Sequence, residues 1–146
     1  MATLIDTNVL LRLTQPHHPH CALAEHAVAT LRSRNETLHI TPQNLIEFWA
    51  VATRPAGENG LGMTVEVAAG ELAALKRLFS LLPETALVFE EWERLVTTLG
   101  VSGKNTHDAH IVAAMNVYGI DTIMTFDVHD FARYSNISAL HPATVA

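Results

Sequence analysis

The feature that most constrains this chain is the repeated exchange of short apolar runs with longer amphipathic ones. Ala2–Ile5, Leu38–Ile40, Ala86–Phe89 and Asp121–Thr125 read as strands, with Ile137–Leu140 as a further edge strand. Helical spacing is expected over Val9–Leu13, His20–Arg34, Pro42–Thr53, from Thr64 to Leu82, over Glu90–Leu99 and over Thr106–Tyr118. Strands separated by helices do not close as hairpins. They build a parallel sheet covered on both faces. The expected fold is therefore α/β, a three-layer α/β/α sandwich around a mainly parallel sheet of four to five strands. In such sheets ligands bind beyond the carboxyl ends of the strands, so the residues that follow each strand come first for function.

Local signals set the boundaries. Gln15-Pro16-His17-His18-Pro19 breaks the first helix, and Ala22, Leu23, Ala27, Val28 and Leu31 suggest the apolar stripe of the second. Thr41-Pro42 is a cap followed by proline at the first helical position, a strong helix start. Pro83 stops a helix, and Gly119 suits a left-handed cap. Residues 56–62 hold three glycines and read as a loop, as does Gly100–Asn105.

No repeat or long linker divides residues 1–146, which are expected to form one domain. With 49% hydrophobic and only 16% charged residues, below the usual quarter, the chain should bury an extensive core. No apolar run approaches the eighteen or so residues that span a membrane, and Met1–Asp6 has no basic region of the signal-peptide kind. Cys21 is the only cysteine, which leaves no internal disulfide or Cys-rich zinc site and suggests a reducing, cytoplasmic setting.

The acids carry the functional signal. Fifteen acids against nine bases give a net charge of −6, which argues against a bulk-electrostatic nucleic-acid binder. Only five of those acids are Asp, a poor helix former. Asp6 ends the first strand, Asp127 stands two residues after Thr125 at the end of another, and Asp108 opens a helix after a glycine loop. Glu47 lies mid-helix among Leu45, Ile46, Phe48, Trp49 and Val51, so it should be partly buried. Carboxylates gathered without bases raise one another's pKa. A divalent cation relieves this, and oxygen-only ligands favour Mg²⁺ or Mn²⁺. Such ions orient a phosphodiester, activate water and stabilise a leaving alkoxide. Each acid also has a plainer role open to it: Asp6 as a helix cap, Asp108 as a helix-dipole partner, Glu47 as a partner of Arg54, and Asp127 as a turn residue. Asp121 reads as a turn residue, and Asp130 as either a further ligand or a surface acid.

Taken together, Asp6-Thr7-Asn8-Val9-Leu10, Asn44-Leu45-Ile46-Glu47-Phe48, His107-Asp108-Ala109-His110-Ile111 and Thr125-Phe126-Asp127 with Asp130-Phe131 resemble the PIN-domain family. The resemblance spans Asp6 to about Tyr134 and is nearest to the single-domain VapC-like toxins of bacterial toxin–antitoxin pairs. It implies a metal-dependent ribonuclease with Asp6, Glu47, Asp108 and Asp127 as the Mg²⁺- or Mn²⁺-binding acids. Asn8 and Thr125 would orient them, and Asp130 is the alternative to Asp127. It further implies a homodimer, an RNA substrate, and a cognate antitoxin that places a basic side chain in the acidic cleft.

His107 would stand at the cleft edge within reach of a phosphate. The His17-His18-Pro19-His20-Cys21 run reads better as a solvated loop than as a metal site. Lys104 fits an RNA contact and a solvated loop equally, and Arg12, Arg32 and Arg34 suggest a modest basic patch. Phe79, Leu82 and Trp92 suggest an exposed apolar patch for a partner. Two other classes stand as rivals: a non-catalytic RNA- or protein-binding module on the same fold, and a phosphatase of the haloacid-dehalogenase type. The latter wants an Asp where Asn8 stands.

Overall fold

The computed structural model describes residues 1–146. Five strands form one sheet: β1 (Ala2–Ile5), β2 (Thr37–Ile40), β3 (Ser80–Leu81), β4 (Thr122–Met124) and β5 (Ser138–Leu140), in the order β3-β2-β1-β4-β5. Every neighbouring pair is parallel. Six helices complete the chain: α1 (Thr7–Leu13), α2 (Cys21–Ser33), α3 (Pro42–Thr53), α4 (Val65–Leu78), α5 (Ala86–Leu99) and α6 (Asn105–Tyr118). No helix is long and apolar enough to cross a membrane.

The pleat of β1 sorts the core into two. Ile5 joins the cluster that packs α1–α4 on one face, through Val9, Leu10, Phe48 and Leu75. Leu4, its neighbour, points the other way into the cluster of α5 and α6, with Val88, Val112, Met115 and Phe131. The three expected layers are therefore present, and the alternation along one four-residue strand assigns helices to each face.

One strand was expected in the wrong place. Ala86–Phe89 is the first turn of α5, not a strand. A short apolar run is ambiguous between the two periods. Here Val88, Trp92 and Leu95 continue it at helical spacing, while Leu87 and Phe89 lie 61% and 56% exposed. The third strand is instead Ser80–Leu81, within the stretch assigned to helix as far as Leu82. Phe79 already has extended backbone, and β3 pairs His39 with Ser80 and Ile40 with Leu81. Leu82 then precedes Pro83, which disfavours helix at that position, and its amide bonds to the Ile40 carbonyl at 2.8 Å.

The stripe of α2 is also rotated. Cys21, Ala24, Ala27, Val28 and Leu31 face inward, whereas Ala22 and Leu23 are exposed. Phe79 and Leu82 are buried rather than part of a surface patch. The Thr41 start of α3 is a full capping box with Asn44, and Gly119 ends α6 with φ +70°.

Candidate active site

The site lies where the strand order reverses, at the carboxyl ends of the central strand β1 and its neighbour β4. Asp6 follows β1 and stands at the N-cap of α1, its Oδ1 accepting from the Thr7 amide at 2.8 Å. Its capping role and its place in the acid group coexist. Asp127 follows β4, Glu47 projects from α3, and Asp108 sits in the first turn of α6. Two flanking helices and two strand ends thus bring the acids close enough that Asp6 feels the charges of Asp108 and Glu47, and Asp108 those of Glu47 and Asp127.

Thr125 is the hub between the two strand ends. It is fully buried. Its hydroxyl donates to Asp6 Oδ2 at 2.8 Å and accepts from Asn8 Nδ2 at 3.2 Å and from the Asp127 amide at 3.0 Å. A hydroxyl has one hydrogen and two lone pairs, so each is engaged. Asn8 completes the tie: its Nδ2 also donates to Asp127 Oδ2 at 3.1 Å, and its Oδ1 accepts from the Phe126 amide at 3.2 Å. Asn8 and Thr125 therefore hold Asp6 and Asp127 relative to each other.

A second tie holds Glu47. Thr7 Oγ1 donates to Glu47 Oε1 at 2.7 Å and accepts from Asn44 Nδ2 at 3.1 Å. Gln43 Nε2 donates to Glu47 Oε2 at 3.0 Å. Glu47 is half-buried as expected, but its partners are these polar groups and not Arg54. The Thr41–Asn44 box that starts α3 thus also anchors Thr7 next to Asp6.

The electrostatics are those of acids lacking compensation. Burial pushes the Asp6 carboxyl up to about 7. Hydrogen bonds from Thr125 and Thr7 pull against this, and the charges of Asp108 and Glu47 add to it. Burial likewise raises Asp108 to about 6, reinforced by Asp130, Glu47 and Asp127 and opposed by Arg133. The Arg94–Glu91 ion pair and the His110–Glu84 contact involve none of the four acids. Asp127 and Asp130 are both exposed and both act on Asp108; Asp127 is the one tied to Asn8.

No three His, Cys, Asp or Glu side chains close on one point as a finished cation cage. The chemistry of the donor set nevertheless fits a hard divalent ion: it is made of carboxylate oxygens with no thiol among them, and burial and neighbouring charge raise the pKa of Asp6 and Asp108. Beside them the Tyr134 hydroxyl is buried without a protein partner and feels the charge of Asp108.

Other expected residues fall as follows. His107 is exposed at the cleft edge, and its carbonyl accepts from Gln43 at 2.8 Å. Asp121 is exposed immediately before β4 and accepts from the Thr122 hydroxyl. In the histidine run the His20 ring stacks on Phe126 at 4.8 Å, and His18 Nδ1 accepts from the His20 amide. Arg32 and Arg34 bond to the carbonyls of Leu78 and Ala146, so their guanidinium groups join segments of the protein itself. Thr7, Gln43 and Tyr134 were not singled out from sequence. Thr7 lies between two residues of the acid pattern, and Gln43 is one helical turn before Glu47. Tyr134 gave no signal.

A family model described as the PIN domain matches residues 3–137. No curated protein matches the chain in sequence. Among solved structures, VapBC2 from Rickettsia felis, bound to a promoter DNA fragment, is 16% identical with a TM-score of 0.72, over 97% of this chain and 98% of that one. VapBC-1 from nontypeable Haemophilus influenzae is 14% identical with a TM-score of 0.72, over 99% and 100%. VapC20 of Mycobacterium tuberculosis, a toxin that cleaves the sarcin–ricin loop, is 21% identical with a TM-score of 0.65, over 90% and 95%. At these identities the likeness is one of fold.

Proposed function

The chain belongs to the PIN-domain family, and on that premise we propose that it is a metal-dependent endoribonuclease, the toxin of a toxin–antitoxin pair. The observation that carries the reading is the gathering of Asp6, Glu47, Asp108 and Asp127 at the carboxyl ends of β1 and β4, with Asp6 held near 7 and Asp108 near 6 by burial and by the charges of neighbouring carboxylates. In this reading the four acids hold Mg²⁺ or Mn²⁺. A divalent ion there supplies Lewis-acid chemistry, activating water for attack on a phosphodiester and stabilising the leaving oxygen.

The chain's own groups do the remainder. Thr125 and Asn8 fix the strand-end acids, and Thr7 and Gln43 fix Glu47. Asp130 adds negative charge beside Asp108 and strengthens the demand for a cation. His107 at the exposed rim is placed to meet a phosphate. The partner is an antitoxin that puts a basic side chain among these acids, and the toxin works as a cytoplasmic homodimer. The VapBC structures, toxin–antitoxin assemblies on this fold, support the antitoxin as partner.

RNA cleavage in Mg²⁺ or Mn²⁺ by the wild type and by Asp6→Asn tests the reading. Loss of cleavage in the variant is expected, and unchanged cleavage overturns it. The rival reading is a non-catalytic module on the same fold. That module would show no Mn²⁺ binding that Asp108→Ala removes.

A further inference from the structure

Gln43 is one turn before Glu47 on α3, and its amide nitrogen carries two hydrogens aimed at two acceptors. One is Glu47 Oε2 at 3.0 Å and the other is the His107 carbonyl at 2.8 Å. Reversing the amide would point its oxygen at both acceptors, so its orientation is fixed. Gln43 Oε1 must then accept, and His110 Nδ1 is its partner. The other nitrogen of that ring, Nε2, faces Glu84 Oε1 at 2.9 Å. The imidazole thus stands between Gln43 and Glu84, with one of them at each ring nitrogen.

This chain of contacts joins parts that the sheet keeps in separate layers. Gln43 and Glu47 are on α3, whose core lies on one face. His107, Asp108 and His110 are on α6, whose core lies on the other. Glu84 is on the segment between β3 and α5. The links from Gln43 to the His107 carbonyl and to the His110 ring flank Asp108 in sequence on both sides. Both links join the turn of α6 that carries Asp108 to the turn of α3 that carries Glu47.

We propose that Gln43, His110 and Glu84 form a positioning relay that holds Glu47 at its working separation from Asp108. The proposal rests on the ribonuclease reading above and adds to it His110 and Glu84 as positioning residues behind Gln43, neither of which needs to touch metal or RNA. His110 and Glu84 side chains are 27% and 43% exposed, so replacing them removes little core packing.

The test is a double-mutant cycle on Gln43→Leu and His110→Ala, read by Mn²⁺ calorimetry and by the Mn²⁺ dependence of RNA cleavage. Groups that support metal ligands typically contribute 10–100-fold in affinity. Each single variant should weaken Mn²⁺ binding about tenfold or more, and the double variant no more than Gln43→Leu alone, because His110 acts through Gln43. Thermal melts in EDTA that match the wild type separate this loss of affinity from a loss of folding. Losses that multiply in the double variant overturn the relay. Wild-type Mn²⁺ affinity in both single variants, with binding abolished by Asp6→Asn, overturns the relay and leaves the nuclease reading standing. A wild-type protein that binds no Mn²⁺ overturns both.

Discussion

Replacing Asp6 by Asn should stabilise the metal-free protein and at the same time remove its activity. Asn serves the N-cap position about as well as Asp, so the change isolates the charge. Burial raises Asp6 from 3.8 to about 7. At about 1.4 kcal/mol per pKa unit, keeping this carboxylate ionised at pH 8 costs the fold about 4 kcal/mol. Part of that gain is lost because Thr125 would no longer have a carboxylate to donate to, leaving about 2 kcal/mol, since a hydrogen bond is worth about 1 kcal/mol and an unsatisfied buried group 1–3. For a domain of this size that is a rise of roughly 4–8 °C in Tm.

The pH dependence follows from the sign of the shift. A raised carboxyl pKa means that the folded state holds the proton more tightly than the unfolded chain. The stability it confers is full below about 4 and is lost as pH rises through about 7 for Asp6 and about 6 for Asp108. Thermal melts in EDTA at pH 8 should therefore show Asp6→Asn melting above the wild type, and the gap should close at pH 5, where wild-type Asp6 is already protonated. Added Mn²⁺ should reverse the order at pH 8 by stabilising only the wild type. A variant that melts below the wild type in EDTA at pH 8, by as much as at pH 5, would refute the reasoning.

Three further outcomes are expected. Thr125→Val removes the hydroxyl shared by Asp6, Asn8 and Asp127 and should weaken Mn²⁺ binding about tenfold or more by calorimetry, whereas Thr125→Ser should stay close to wild type. RNA affinity measured by fluorescence anisotropy with an uncleaved RNA analogue should rise when EDTA is replaced by Mn²⁺, because the net charge of −6 repels the backbone until cations enter the cleft; equal affinity in both would contradict the placement of the charge. Gly119→Ala, at φ +70° with open space around it, should cost about 1–2 kcal/mol in urea unfolding through backbone strain alone.

Much of the architecture was legible because it rests on local rules. The Thr41-Pro42 start, the Gly119 stop and the exchange of strands with helices define layers without any long-range information. The errors came where local rules tie. Ala86–Phe89 satisfies both periods until Trp92 and Leu95 are counted with it, and the two-residue β3 is a strand only because β2 lies beside it. The site divides in the same way. Asp6, Asp108 and Asp127 announce themselves by standing at element ends, where Asp is otherwise a turn or cap residue. Asn8 and Thr125 were visible as polar neighbours in the same pattern. The ties to Glu47 were not, because Thr7 and Gln43 reach it across 40 and 4 residues, and nothing in one sequence says that the Thr7 hydroxyl points at α3 rather than into its own helix. The Glu84–His110 contact spans 26 residues and depends on the placement of α5, which the sequence reading began four residues late.

The most direct test of the central claim is the position of the cation itself. Anomalous scattering from crystals soaked in Mn²⁺ should give a peak in the cleft between Asp6 and Asp108, with Glu47 and Asp127 facing it and Thr125 behind. No peak there at saturating Mn²⁺, or a peak confined to the His17–Cys21 loop, would contradict the account.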